Sequence, residues 1–421
     1  MRHVQNVSKI IIGVVSLIVT LPFIYDLIDQ QEEIDESKII EITNTQLIGY
    51  NKGNMTWKMF ANNIWSKNKK NYYYADQIIA GVIYDTNGDI IIDSISANNL
   101  TINTKNNSFS IYDGLTARFN LDRESIEDGL IAVENNKEQI KVKSNQMRYF
   151  SDNKYTYLSD DVELIKEDTV IRPLKEVQID NEDNIAYIYH GFNLVTPEVS
   201  VTGNQMIMYI DDRFSEFKGD LVFEQFPSEN FDESLDEKEQ LLRKERTFLY
   251  ANYATFQESP TKNHLKVSEN ITLVQRSKHI TAAFAEYIEE LDLFKMTDQV
   301  VIELEDLDWL LDKKTKESMI NEDIKSSLND KTTIYCDRLI FNGNKQETKL
   351  IGNVKIVQSD KTIYCKKLVL YDETAIVECI GDVKVIKDNA DTMTTQFLTI
   401  DLNNEVFTAK KGVYSEYHLE N

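Results

Sequence analysis

From residue 35 onward, apolar and polar side chains alternate in short runs rich in Ile, Val, Thr, Tyr and Phe. Asn- and Asp-rich steps such as Asn87-Gly88-Asp89 and Asp211-Asp212 interrupt them. A period of two puts successive side chains on opposite faces of an extended chain, so the pattern predicts β-strands joined by tight turns. A longer repeat lies over this one. Thr333-Ile334-Tyr335-Cys336-Asp337-Arg338-Leu339-Ile340-Phe341 recurs as Thr362-Ile363-Tyr364-Cys365-Lys366-Lys367-Leu368-Val369-Leu370. It recurs more weakly as Thr392-Met393-Thr394-Thr395-Gln396-Phe397-Leu398-Thr399-Ile400, so that Cys336, Cys365 and Thr395 stand 29 and 30 residues apart. Between these copies, Ile351-Gly352-Asn353-Val354-Lys355-Ile356 returns as Ile380-Gly381-Asp382-Val383-Lys384-Val385.

A period near thirty residues with two or more strands in each predicts a stacked sheet structure, one unit to each turn of the stack. The Gly-Asn/Asp step predicts a bulge or tight bend where a strand turns a corner. Within a unit, Ile363, Cys365, Leu368 and Leu370 are expected on one apolar face, with Lys366, Lys367 and Val369 directed elsewhere. The rhythm continues upstream around Ala97, Met147, Met206 and Ala251. The apolar-face candidates are therefore Ala97, Leu100, Ile102, Phe109, Ile111, Met147, Tyr149, Met206, Met208, Leu221 and Phe223 in the first part. In the second they are Ile334, Leu339, Phe341, Val354, Ile356, Ile363, Leu368, Leu370, Val383, Val385, Leu398 and Ile400. Periodicity alone fits two readings of this face: a closed core, or a groove that admits an apolar ligand. Trp57 and Trp65 read as packing residues.

Three stretches break the alternation. Residues 226–247 are densely charged and read as a linker or exposed helix between a β-unit at 35–225 and another at 248–421. Residues 303–331 read as a charged insertion within the second unit, with Leu307, Leu310 and Leu311 at helical spacing. At the N-terminus, Ile10 to Tyr25 is an uncharged apolar run preceded by Arg2, His3 and Lys9 and followed by six acidic residues between Asp26 and Glu36. With Ile10, Val14, Leu17, Leu21 and Ile24 along it, residues 1–30 read as a cytoplasmic tip and single-pass membrane anchor, the basic end in the cytoplasm. A cleavable signal peptide is the alternative, but Pro22-Phe23-Ile24-Tyr25 is too bulky for the usual small-residue cleavage site.

The chain has 421 residues, of which 42% are hydrophobic, enough for a sizeable core, and a net charge of −24. So acidic a chain without a basic stripe in its sequence is unsuited to nucleic acid. The three Cys form no metal-ligand spacing and no disulfide framework. Cys336 and Cys365 read as small apolar side chains; a disulfide between them, or from Cys365 to Cys379, is the alternative. The five His are dispersed without evident carboxylate partners, and Asp160-Asp161 and Asp211-Asp212 fall in turns, so no catalytic, metal or cofactor site is expected.

The repeat with its Gly-Asn-Val-Lys-Ile step resembles the LptA/OstA-type family of lipopolysaccharide-export proteins. The anchor followed by Leu47-Ile48-Gly49-Tyr50, Met55-Thr56-Trp57, Ala61, Ile83-Tyr84 and Ile95-Ser96-Ala97-Asn98-Asn99-Leu100 resembles its membrane-anchored member LptC. The resemblance implies an LptC-like part joined to an LptA-like part, each an open β-jellyroll whose two sheets enclose an apolar groove. It further implies non-enzymatic transport: lipopolysaccharide taken from the inner-membrane ABC exporter LptB2FG and passed along that groove. LptA or the periplasmic domain of LptD would follow by edge-strand pairing. The expected place is the inner membrane, with the bulk of the chain in the periplasm. The rival readings are a structural or adhesive β-solenoid with a closed core, and a carrier of another amphiphilic lipid.

Overall fold

The computed structural model describes residues 40–67, 71–85, 87–120, 139–151, 155–227, 245–259, 262–307, 328–387 and 391–416. The expected anchor at 10–25 lies outside the described residues, as do 228–244 and 308–327 of the two charged stretches. Among the described residues, no helix is long and apolar enough to cross a membrane.

The protein is all-β and antiparallel, with 26 strands in one hydrogen-bonded sheet among the described residues. Six long strands lead: β1 (Ile40–Asn51), β2 (Asn54–Ser66), β3 (Tyr72–Tyr84), β4 (Ile90–Asn103), β5 (Ser108–Asn120) and β6 (Gln139–Phe150). Eight short ones follow: β7 (Tyr155–Ser159), β8 (Glu163–Lys166), β9 (Thr169–Pro173), β10 (Glu176–Asp180), β11 (Ile185–Ile188), β12 (Phe192–Val195), β13 (Val199–Gly203) and β14 (Gln205–Tyr209). Then come β15 (Phe214–Gln225), β16 (Thr247–Gln257), β17 (His264–Gln275), β18 (Lys278–Ile288), β19 (Leu293–Leu304), β20 (Thr332–Asn342), β21 (Glu347–Val357), β22 (Lys361–Tyr371), β23 (Ile376–Lys387) and β24 (Thr392–Asp401). β25 (Val406–Lys410) and β26 (Tyr414–Glu416) close the order.

The connectivity is a plain meander. Each long strand pairs with its sequence neighbours, and the short strands are halves of long ones broken in the middle. β6 pairs with β7 through one half and β8 through the other; likewise β24 carries β25 and β26. A thirty-residue period is thus two antiparallel rungs rather than one coil of a solenoid. The difference corrects the stacked-turn expectation: hairpin connections of a few residues suffice where a coil would need crossovers. β15 and β16 pair from Phe214↔Gln257 to Gln225↔Thr247, so the ladder is continuous across the first charged stretch. At the second, the Leu307 N–H donates to the Leu328 carbonyl at 2.7 Å, and Leu328 is buried in the core.

The corner is where sequence and geometry meet. In β21, Ile351 pairs with Lys367 and Val354 with Cys365, so Gly352 and Asn353 oppose Lys366 alone. The same two-against-one bulge places Gly381-Asp382 against Gln396, Gly219-Asp220 against Asn252 and Asp113-Gly114 against Asn145. Glu269-Asn270 opposes Ala283, and Asp298-Gln299 opposes Asp337. Both residues of every pair have positive φ, from 81° at Gly352 and Gly381 to 47° at Asp382. Two consecutive left-handed residues turn the strand sharply, and the extra residue on the bulged side keeps apolar side chains inward on both halves. The bend foreseen at Gly-Asn/Asp is therefore present, and it also occurs where no Gly announces it. Val369, expected to face away from the apolar interior, lies outside the core cluster and is nonetheless buried, paired with Lys349 and Glu378 of its flanking strands.

Asp298, at φ 64°, carries a side chain where its counterparts at 352 and 381 have none. Asp298→Gly is expected to raise stability by about 1 kcal/mol, read as a higher midpoint in thermal unfolding followed by circular dichroism. Gly352→Val is expected to lower it, because its β-carbon would fall 2.1 Å from Asp337 Oδ2.

Candidate functional site

The bends bring the inner faces of all rungs onto one apolar interior. One row runs by direct cross-strand pairing through Val142, Leu164, Ile171, Leu194, Val201, Phe223, Leu249, Leu273, Ile280, Ile302, Ile334, Ile356, Ile363, Val385 and Met393. At ~4.8 Å per strand this is an unbroken apolar line of roughly 65 Å. Across the corner a second row runs Phe217, Ala254, Val267, Ala285, Met296, Leu339, Leu350, Leu368, Cys379, Leu398 and Ala409. Beyond it, at the strand ends, a third row carries Phe256, Leu265, Tyr287, Phe294, Phe341, Thr348, Leu370, Val377, Ile400 and Phe407.

Burial grades these rows. Next to the corner the side chains fill the interior themselves: Leu339, Val354, Leu368, Val383 and Leu398 are all buried, as are Ile363 and Leu370. Towards the lips Ile334, Ile356, Val385 and Ile400 are half-buried while still packing on the core. Ala97, Leu100, Ile102, Phe109, Ile111, Met147, Tyr149, Met206, Met208, Leu221 and Phe223 all join the same cluster. Phe341 departs from expectation. It has the inward parity of Leu339 but sits at the strand end, 38% exposed and outside the cluster, so it forms part of the rim. Phe407, 57% exposed, continues that rim on β25.

At the β1 end lies a cavity of about 380 Å³ lined by Leu47, Ile48, Gly49, Tyr50, Trp57, Tyr73, Ile102, Thr104 and Asn107. Trp57 packs edge-on against Phe109, ring centroids 5.4 Å apart, and Phe109 stacks on Tyr149 at 5.0 Å. Burial pushes the Tyr149 phenol up to about 12. This aromatic block supports a packing role for Trp57. Trp65 stacks on Tyr74 at 4.5 Å.

The small residue ahead of each corner has a steric reason. Ser144, Ala251, Ala282, Cys336, Cys365 and Thr395 pair directly with Leu115, Leu221, Ile271, Val300, Val354 and Val383. Where the two halves fold together, only one partner of each pair has room to be large. Several of these residues also tie the bend: Ser144 Oγ lies 2.6 Å from the Ser159 carbonyl, and Thr395 Oγ1 lies 2.8 Å from that of Lys410. Side chains bridge the corner itself. Asn353 donates to Asp337 at 3.0 Å, Asn204 to Asp220 at 3.0 Å and Gln396 to Asp382 at 3.2 Å. Lys366 and Gln396 together hold the Asp382 carboxyl below its usual range.

All three cysteines are free. Cys336 and Cys365 are separated by β21, two strand spacings or ~9.6 Å, which is beyond disulfide reach and corrects their expected adjacency. Burial pushes the Cys336 thiol up to about 12. Cys379 is raised by its hydrogen bond with Cys365 and by burial. Two His do have carboxylate partners, contrary to the sequence reading: His264 Nε2 lies 3.2 Å from Glu286, and His279 Nδ1 lies 3.8 Å from Glu303. Both are cross-strand or near-cross-strand pairs, and Glu286 is lowered chiefly by its hydrogen bond to Lys295. Asp160 and Asp161 form a corner step, with Asn145 donating to Asp161 at 2.9 Å.

The geometry defines a class first: an antiparallel meander bent at every rung around one apolar interior with an exposed apolar rim. Comparison with known proteins adds a similarity over part of the chain. Residues 297–414 match the family model described as OstA-like protein, the family that the repeat resembles. No curated protein matches the chain. Among solved structures it is similar to the crystal structure of LptH, the LptA-homologous periplasmic component of the conserved lipopolysaccharide transport device from Pseudomonas aeruginosa. That similarity is at 11% identity, covering 41% of this chain and 95% of that one, with a TM-score of 0.24.

Two outcomes test the packing. Cys365→Ala is expected to cost under about 1.5 kcal/mol, whereas Cys365→Leu is expected to cost about 1–3 kcal/mol by crowding Val354, measured by urea unfolding. Thiol alkylation of the native protein is expected to be negligible, and complete denaturation to release three reactive thiols, counted by mass spectrometry.

Proposed function

We propose that this chain carries lipopolysaccharide, without chemistry of its own, between an inner-membrane exporter and the next component of a bridge across the periplasm. The observation that carries the reading is the OstA-like match at 297–414, falling on rungs whose inner faces belong to one apolar line running on through the first part of the chain. Each buried CH₂ gains ~0.8 kcal/mol, so an acyl chain of about a dozen carbons laid along such a line gains on the order of 10 kcal/mol before its ordering cost. The half-buried lips at Ile334, Ile356, Val385 and Ile400, with Phe341 on the rim, are where the chains would lie; the interior beside the corner is already filled.

Both ends of the meander are open among the described residues. Among these residues, β1 pairs only with β2 and exposes Ile40, Ile42, Ile48 and Tyr50, while β25 and β26 pair only with β24. Free edges add strands from partners. In this proposal the β1 edge meets LptB2FG, and the final edge meets LptA or the periplasmic domain of LptD. An LptC-like part at 35–225 and an OstA-like part at 248–421 share one groove, and residues 10–25 anchor the chain in the inner membrane. The inner rows being largely filled also favours, as a second reading, a structural β-body with a closed core.

A benzophenone amino acid at Phe341 or Ile334 is expected to capture lipopolysaccharide in cells, and one at Tyr250 on the outer face to capture none. Capture of protein alone from both rim positions overturns transport in favour of the closed body.

A further inference from the structure

The outer face beside the corner in the last rungs carries two rows free of acidic residues in an acidic chain. One outer row pairs Arg338 with Ile351, Ile351 with Lys367, Lys367 with Ile380, Ile380 with Phe397 and Phe397 with Lys410. On the other side of the corner, Tyr335 pairs with Lys355, Lys355 with Tyr364, Tyr364 with Lys384, Lys384 with Thr394 and Thr394 with Tyr414. Cations are interspersed with Ile, Phe, Tyr and one Thr in the two rows, and neither contains an acidic residue, in a chain with 70 Asp and Glu and a net charge of −24. Traced back to β15 through Thr297, Phe284, Ser268, Tyr253 and Lys218, the first row is still free of acid.

Arg338, Lys355, Lys367, Lys384 and Lys410 make no ion pair with a carboxylate among the described residues. Lys355 instead lies over the rings of Tyr335 and Tyr364 at 5.7 and 5.9 Å, and Lys411 over Phe397 at 4.7 Å. The carboxylates on the intervening corner are engaged, Asp337 with Asn353 and Asp382 with Lys366 and Gln396. Tyr335, Tyr364, Arg338 and Lys384 are exposed.

We propose that this stripe, from Arg338 and Tyr335 on β20 to Lys410 on β25, docks on the surface of an anionic lipid bilayer. Cations spaced one or two strands apart, ~5–10 Å, suit a dense field of headgroup phosphates. Tyr and Phe between them suit the interfacial layer, where amphipathic rings settle, and lysine stems reach past apolar neighbours to the charge. Because screening confines charge to about 8 Å at physiological salt, the local positive stripe governs contact despite the chain's overall sign. The proposal does not rest on the transport reading; it holds or fails on this face alone.

The test uses the full chain with Thr394→Cys, which lies between Lys384 and Tyr414, labelled with a polarity-sensitive dye; the native thiols are buried. Quenching by nitroxide lipids is read in phosphatidylglycerol-rich and in pure phosphatidylcholine vesicles. The expected result is quenching with the anionic vesicles only, lost in high salt. A variant carrying Lys355→Ser, Lys367→Ser and Lys384→Ser is expected to be roughly a hundredfold weaker, about fivefold per charge. Arg338→Gln, a single substitution on an exposed site, is expected to weaken it severalfold and serves if the triple variant fails to fold. Equal quenching in both vesicles, or quenching unchanged by the variants, overturns the proposal. So does a dye shift produced by a second, unlabelled copy without vesicles, which would assign the stripe to self-association.

Discussion

Everything in this structure hangs on a backbone conformation that L-amino acids resist. At the corners of β5, β15, β17, β19, β21 and β23 two consecutive residues sit in the left-handed region, opposed by a single residue of the neighbouring strand. Left-handed backbone costs a side-chain-bearing residue roughly 1–2 kcal/mol, and the protein holds it at Glu269, Asn270, Asp298 and Gln299 as well as at the Gly-containing steps. What compensates is the closing of both halves of each rung on the apolar interior. Without the bend, the inner rows would be a flat apolar sheet face open to water; with it, they shield one another.

The corner also dictates which residues surround it. Small side chains at Ser144, Ala251, Cys336, Cys365 and Thr395 make room for the Leu or Val opposite. Short polar side chains at Asp220, Asn353 and Asp382 are held by Asn, Asp, Lys or Gln from the adjacent rung. Packing inside and hydrogen bonding outside thereby act on the same few positions. Cys336 and Cys365 belong to this steric pattern, while Cys379 packs in the inner row between Leu368 and Leu398.

Much of this was legible from residue types. The period of two announced the strands, and the Gly-Asn and Gly-Asp steps announced the bends, because glycine before Asn or Asp is what a left-handed pair favours. Their equivalents at Glu269-Asn270 and Asp298-Gln299 were invisible, since tertiary packing imposes the conformation against local preference there. Ile334, Leu339, Val354 and Leu368 were readable as one face, but strand position decides whether such a residue is sealed or at the lip, and Phe341 has core parity with rim exposure. The spacing of Cys336 and Cys365 suggested adjacent neighbours because a repeat length does not reveal whether it holds one coil or two rungs. The outer stripe was unreadable for a related reason: Arg338, Lys355, Lys367 and Lys384 come together only across strands.

Meander connectivity makes length an adjustable property. Among the described residues a rung shares its backbone ladder only with the rungs before and after it, so stability accumulates largely along one dimension and the two terminal rungs are the natural places for fraying. Duplicating or deleting one hairpin would move the two ends apart or together by about 10 Å while leaving every surviving corner and both free edges intact. A molecule that must span a fixed gap can thus be fitted to it in hairpin increments, without redesigning what binds at its extremities.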